Sequence, residues 1–144
     1  MTSSARRNLD PFLPWPLRHI IQSIVRGVNK MTDCIFCRIV NNRARAVIVH
    51  QDDQATAFRD IHPVAPTHIL IVPNKHIESV NALEAEDEQL MGRLFRVARQ
   101  LAAQEGIAEN GYRLIINTGA YGGQTIPHLH IHLIGGKPMR YPMG

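Results

Sequence analysis

Near the C-terminal end, seven residues, His128-Leu129-His130-Ile131-His132-Leu133-Ile134, place an imidazole at every second position and aliphatic side chains between. A period of two belongs to an extended backbone, whose successive side chains leave opposite faces. The stretch predicts a strand over Leu129–Ile134 with three histidines on one face and Leu129, Ile131 and Leu133 on the other. At a rise of about 3.3–3.4 Å per residue, successive histidines stand about 6.6–6.8 Å apart. The aliphatic face requires a core to cover it. That excludes an all-helical chain.

The imidazole face admits three readings. It is a solvated edge, a metal site of His-x-His type, or a nucleophilic site in which one imidazole attacks and its neighbours orient it. A solvated edge favours Lys, Glu or Thr over histidine. The Gly-rich run Gly119-Ala120-Tyr121-Gly122-Gly123-Gln124-Thr125 lies directly ahead. Backbone N–H groups of such a turn form a nest for anionic oxygens, and Gln124 and Thr125 add side-chain donors. A phosphate nest beside aligned histidines points to imidazole attack on phosphorus. Neutral imidazole is the reactive form, and its ordinary pKa of about 6.5 makes it available at pH 7.

The rest of the chain reads as α+β. A short helix is expected over Ile35–Val40, and a hairpin over Ala46–His50 and Ala55–Asp60. A strand follows at His68–Val72, stopped by Pro73. A long helix over about Glu86–Glu105 has Leu90, Met91, Leu94, Phe95, Val97, Ala98 and Leu101 as its apolar side, and Gly106 suits the left-handed position past its end. Another strand covers Tyr112–Asn117. The chain has 144 residues, 44% of them hydrophobic and 19% charged, enough for one domain with a real core. No apolar run approaches the ~18–20 residues that cross a bilayer.

Charge divides the chain. The formal net charge is +4, but Arg6, Arg7, Arg18, Arg26 and Lys30 stand against Asp10 alone. From Met31 onward basic and acidic residues are equal in number. Residues 1–30 read as a basic extension, Pro-rich and then amphipathic over 17–28, ahead of a neutral domain at 31–144. A neutral domain argues against a nucleic-acid partner. Membrane contact is expected only through residues 17–28. A cytoplasmic location is expected, or a mitochondrial or plastid one if residues 1–30 are a transit segment. Met31 also looks like a natural start.

Together these motifs resemble the histidine-triad (HIT) family, in particular its Hint branch. The triad followed by Leu133-Ile134 matches the family signature in full. Phe58-Arg59-Asp60-Ile61, Ala65-Pro66-Thr67-His68, Val72-Pro73-Asn74-Lys75-His76-Ile77, Gly122-Gly123-Gln124-Thr125 and the end of the chain, Gly135 to Gly144, extend the match. The resemblance implies a HIT-like fold: a five-stranded antiparallel sheet with a long helix and a short N-terminal helix. It implies a two-fold dimer formed through the Tyr112–Asn117 strand and the long helix.

It also implies hydrolysis of purine nucleoside 5'-phosphoramidates. His130 would be the nucleophile, His132 would contact the phosphate, and His128 and His68 would set tautomers and help pass a proton to the leaving group. Asp60 would hold the ribose hydroxyls. Phe36, Ile39, Phe58, Ile61 and Leu70 would wall the base pocket, and Asn117, Gly123, Gln124 and Thr125 would bind around the phosphate. Dinucleoside polyphosphate hydrolysis, nucleotidyl transfer and a nucleotide-binding scaffold are the alternatives. His132 stands where the uridylyltransferase branch typically carries glutamine, and Tyr141 where many Hint relatives carry tryptophan.

No cofactor is required for that chemistry. Cys34 and Cys37 form one C-x-x-C, which is half a metal site, a redox pair or two reduced thiols. A thioredoxin-like motif follows a strand within a βαβ unit, and no strand is expected ahead of Cys34. Some bacterial-type relatives hold a structural zinc through positions matching Cys34, Cys37, His76 and His128, a sound tetrahedral set.

Overall fold

The computed structural model describes residues 34–140. The extension at 1–30, its expected helix over 17–28, and Tyr141 lie outside the described residues.

The sheet contains five antiparallel strands: β1 (Ile48–Gln51), β2 (Ala55–Arg59), β3 (Thr67–Pro73), β4 (Tyr112–Ile115) and β5 (Ile131–Gly135), in the spatial order β1-β2-β3-β5-β4. A six-residue helix α1 (Ile35–Val40) precedes them, and α2 (Glu88–Gln104) joins β3 to β4 after two single 3-10 turns. The α+β architecture expected of the sequence is the one observed.

Parity along the strands decides what each face holds. In β3, Ile69 and Ile71 pack with Ala55 and Ala57 of β2, Ile131 and Leu133 of β5, and Leu94, Val97, Ala98 and Leu101 of α2. Leu70 and Val72 belong to a second cluster with Phe58 of β2 and Phe36, Cys37 and Ile39 of α1. The sheet is therefore covered by α2 on one face and by α1 on the other. Every residue of β3 is buried, which accounts for its continuous apolar run. Burial of each large aliphatic side chain under α2 contributes about 1.5–3 kcal/mol.

Several expectations shift. The strand expected over Tyr112–Asn117 ends at Ile115, and the one expected over Ala46–His50 runs Ile48–Gln51. The last strand joins the ladder at Ile131, two residues later than alternation suggested, although Leu129 still lies in the α2-side core. Phe95, expected on the buried side of the long helix, is 45% exposed. The fully buried residues of α2 are Leu94, Val97, Ala98, Leu101 and Ala102, with Leu90 and Met91 packed half-buried against the same core.

One polar network fastens the β1–β2 turn. Asp52 Oδ1 accepts from the backbone N–H of Gln54 (2.8 Å) and Ala55 (2.9 Å). Its Oδ2 accepts from His50 Nε2 (2.6 Å) and from Arg93 Nη2 of α2 (2.8 Å). Asn74 Nδ2 donates to the Asp52 carbonyl (2.8 Å), and Thr56 Oγ1 donates to Asn74 Oδ1 (2.7 Å). Burial alone would raise the Asp52 pKa, but the His50, Arg93 and backbone donors hold its carboxyl well below the usual carboxylate range. A carboxyl whose pKa is depressed by folding stabilises the fold above its unfolded pKa of about 3.9 and loses that contribution as pH falls through the folded value. Asp52→Ala is expected to cost about 2 kcal/mol near neutral pH. Urea melts from pH 7 to pH 3 should show the gap between wild type and variant narrowing only below about pH 4. A gap independent of pH would exclude ionisation of Asp52 as its source.

Candidate active site

The histidines stand on the α1 face of the sheet. His68 is on β3 and His132 on β5, each two residues from a cross-strand partner of the other: His68 pairs Ile134, and Leu70 pairs His132. His128 and His130 lie just ahead of β5, His128 at the end of a bend, and both are buried. The rings of His130 and His132 have centroids 4.9 Å apart. Phe36 of α1 meets His128 and His130 edge-on, at 5.9 and 5.1 Å, and Phe58 at 5.3 Å.

Ring-nitrogen partners whose own role is fixed, a backbone N–H or a carbonyl, assign the tautomers of His130, His128 and His68, and through His68 that of His132. His130 Nδ1 lies 2.7 Å from the carbonyl oxygen of His128 and must donate to it. In the neutral ring its Nε2 is then a bare lone pair. His128 Nε2 lies 2.9 Å from the carbonyl oxygen of Pro73 and donates there, which turns its Nδ1 lone pair toward the cysteines. His68 Nδ1 accepts from the backbone N–H of Val64 (3.2 Å), so its proton is on Nε2. That Nε2 faces His132 Nδ1 at 2.9 Å. His132 therefore carries its proton on Nε2, a buried atom with no partner within the described residues.

Neutral rings are what this burial favours. Desolvation, reinforced by His130 and His68 and opposed by Asp60, lowers the His132 pKa to about 4. Burial also lowers that of His68, against the attraction of Asp60. Asp60 Oδ2 lies 3.4 Å from His68 Nε2, and Oδ1 caps the turn by accepting from His62 N–H (2.8 Å).

Two groups of metal-ligating atoms occur among the described residues, each with all atoms within 4.8 Å of one another. In the first, Cys34 Sγ lies 3.3 Å from His128 Nδ1, and Cys37 Sγ lies 3.5 Å from the same atom and 3.2 Å from His76 Nδ1. A tetrahedral zinc with S and N ligands at their ordinary distances separates S from N by about 3.5 Å. The donor set and its spacing fit, and the Pro73 carbonyl orients His128 as an outer partner orients a ligating histidine. The second group, Asp60, His68 and His132, does not fit. Val64 occupies His68 Nδ1, so Nε2 holds the ring proton and has no lone pair for a cation.

The cysteines do not resemble a redox pair. Burial, then the hydrogen bond and charge of Cys34, push the Cys37 thiol up to about 12, whereas a reactive thiol needs a depressed pKa. A divalent cation between the sulfurs reverses that balance by favouring thiolates.

Other expected residues divide. Phe36, Ile39, Phe58 and Leu70 come together in one apolar cluster. Ile61 does not join them; it is 82% exposed in the turn that Asp60 caps. Asn117 and Gln124 are half-buried, and Gly123 and Thr125 exposed. The Gln124 amide is committed to the loop: Nε2 donates to the carbonyls of Glu78 (2.7 Å) and Ile126 (3.0 Å), and Oε1 accepts from Gly119 N–H (3.0 Å). Gly122 allows a close approach, since a Cβ there would sit 2.3 Å from the Thr118 carbonyl oxygen. The Val64 N–H and the Pro73 carbonyl were not anticipated; being main-chain groups, they have no signal in residue type.

The HIT domain family matches residues 41–139. The purine nucleoside phosphoramidase of Escherichia coli strain K12 is 55% identical over 107 residues, 74% of this chain and 90% of that one. An uncharacterized HIT-like protein of Synechococcus elongatus is 47% identical over 112 residues, 78% of this chain and 97% of the relative. Among solved structures, a HIT family hydrolase from Legionella pneumophila superposes with TM-score 0.77 at 44% identity, covering 78% of this chain and all of that one. One from Clostridium thermocellum gives TM-score 0.75 at 40% identity, with 77% and 96% covered. With fold, triad and sequence in agreement over the described domain, the chain belongs to the HIT family and is one of its hydrolases.

Proposed function

We propose that this hydrolase cleaves purine nucleoside 5'-phosphoramidates through a nucleotidyl-histidine on His130, releasing AMP or GMP. The observation that carries the reading is the 2.7 Å contact of His130 Nδ1 with the His128 carbonyl, because it leaves a bare Nε2 as nucleophile. The identity to the Escherichia coli phosphoramidase supports the substrate class.

The chemistry balances in two halves. His130 Nε2 donates its lone pair to phosphorus as the P–N bond breaks, and the leaving nitrogen takes a proton from solvent water to depart as the amine. Water then attacks phosphorus, the P–Nε2 bond breaks with its electron pair returning to His130, and the proton that the attacking water releases goes back to solvent. The positive charge on the nucleotidylated ring is stabilised through Nδ1–H by the His128 carbonyl. His132 Nε2–H, otherwise unpartnered, donates to a non-bridging phosphoryl oxygen, where charge develops. In this reading Asp60 accepts from the ribose hydroxyls, Phe36, Ile39, Phe58 and Leu70 line the base site with Ile61 at its exposed rim, and Asn117, Gly123, Gln124 and Thr125 border the phosphate. Gln124 acts there by shaping the loop.

Zinc, when bound by Cys34, Cys37, His76 and His128, supplies a structural crosslink and leaves the reacting atoms to the histidines. A homodimer is part of the same proposal. Strand β4 is bonded only to β5 among the described residues, and an open edge invites pairing with a second copy; the exposed Phe95 of α2 offers apolar area. Residues 1–30 are a basic extension in sequence ahead of the domain at 31–144, and the enzyme is cytoplasmic, or mitochondrial or plastid if that extension is a transit segment. No helix of the described residues is long and apolar enough to cross a membrane.

The intermediate provides the test. Mixing the enzyme with adenosine 5'-phosphoramidate and quenching in alkali, which preserves P–N bonds, is expected to show one AMP unit on the peptide bearing His130. Turnover with the label on a different residue would refute the assignment.

A further inference from the structure

A main-chain N–H outside the histidine motif, that of Val64, meets the Nδ1 of His68, whose other nitrogen faces His132. We infer that the backbone N–H of Val64, in the turn between β2 and β3, is a positioning group that fixes the tautomers of His68 and His132 in series and thereby presents a donor at the phosphate. The inference rests on the phosphate site proposed above.

The chain of contacts has one direction. Val64 N–H donates to His68 Nδ1 (3.2 Å), and His68 Nε2–H donates to His132 Nδ1 (2.9 Å). The buried, unpartnered Nε2–H of His132 is the end of the line. Only the first donor is fixed by covalent structure, because each imidazole can move its proton to the other nitrogen. Without the amide, His68 is free to carry its proton on Nδ1 and turn a lone pair toward His132. His132 then answers with a proton on Nδ1, and its Nε2 becomes a lone pair. A lone pair facing a phosphoryl oxygen repels where the N–H attracts. The amide thus acts over two rings.

Surrounding groups are consistent with this. Asp60 Oδ2, 3.4 Å from His68 Nε2, also favours a proton on that nitrogen and reinforces the same tautomer. The Val64 side chain is 57% exposed, which leaves the N–H as its contribution to the site. The fixed lone pair on His68 Nδ1 also disfavours an imidazolium, whose second N–H would point at the amide.

Val64→Pro removes the N–H; Val64→Ala keeps it and serves as the rescue. Nitrogen-15 spectra of the full chain at neutral pH should show His68 and His132 each protonated on Nε2 and bare on Nδ1. In Val64→Pro both rings should lose that preference, with kcat falling on the order of 100-fold, as for loss of one transition-state donor. AMP should bind more weakly while adenosine, which has no phosphate, binds as before. Val64→Ala should restore all three readouts. A wild-type His68 protonated on Nδ1, or a folded Val64→Pro protein with unchanged tautomers and AMP affinity, would overturn the inference. If Val64→Pro does not fold, the wild-type spectra decide alone. Correct tautomers in a protein that hydrolyses no phosphoramidate would refute the proposed substrate and leave the positioning role standing.

Discussion

His130→Ala is expected to fold, bind AMP and turn over nothing. Loss of a covalent nucleophile costs roughly 10⁴-fold or more in kcat, because no neighbouring group completes the same two-step path. His132 cannot substitute: its lone pair points at His68 and its outward nitrogen carries a proton. Binding should survive, since the apolar cluster, Asp60 and the Gly-rich loop remain. Steady-state release of AMP from adenosine 5'-phosphoramidate, paired with calorimetric titration of AMP, separates the two effects. Turnover within tenfold of wild type would remove His130 from its role and favour direct attack by water. Loss of AMP binding together with turnover would point to a damaged site, and circular dichroism would identify it.

The second large effect concerns the cysteine–histidine cluster. Metal analysis of the purified protein is expected to find about one zinc per chain. Helix α1 has only six residues, too few to hold itself together in water. It is held by Phe36 and Ile39 packing and by the two cysteines. Strong chelation, or Cys37→Ser, should therefore lower stability by several kcal/mol, a drop in Tm on the order of 15 °C for a domain of this size. The loss should extend to nucleotide affinity, because Phe36 of the same helix touches His128 and His130. A metal-free protein with the same Tm in chelator as without it would show that the four residues are a thiol–imidazole cluster and no more.

How much of this was legible in the sequence depends on whether side chains or backbone carry the information. The period-two pattern from His128 predicted that the histidines share one face and the aliphatic residues the other, and that division holds through Leu133. It did not predict where the ladder begins. His128 and His130 are held by the Pro73 carbonyl and by their own chain, and Leu129 by the Ile77 carbonyl, contacts that take the place of ladder pairing ahead of Ile131. Phe95 fits the helical apolar stripe, yet α2 exposes it, because a stripe read from spacing is wider than the strip a single sheet covers. Ile61 lies in a capped turn that carries it away from the apolar cluster. Gln124 looked like a phosphate donor by residue type, but three contacts with loop atoms use its amide. Val64 and Pro73 contribute an N–H and a C=O, groups that almost every residue has. Cys34, Cys37, His76 and His128 are separated by up to 94 positions, and only the fold brings their ligand atoms together.

The alternation around the histidines also limits how such a site can change over time. Even-numbered positions from 128 to 132 carry imidazoles on the α1 face, while odd-numbered positions from 129 to 133 are sealed under α2. Exchange of one aliphatic residue for another at an odd position leaves that parity intact. Insertion or loss of one residue inverts it, sending imidazoles into the α2-side core and aliphatic groups to the α1 face. In this stretch, composition is open to drift and length is not.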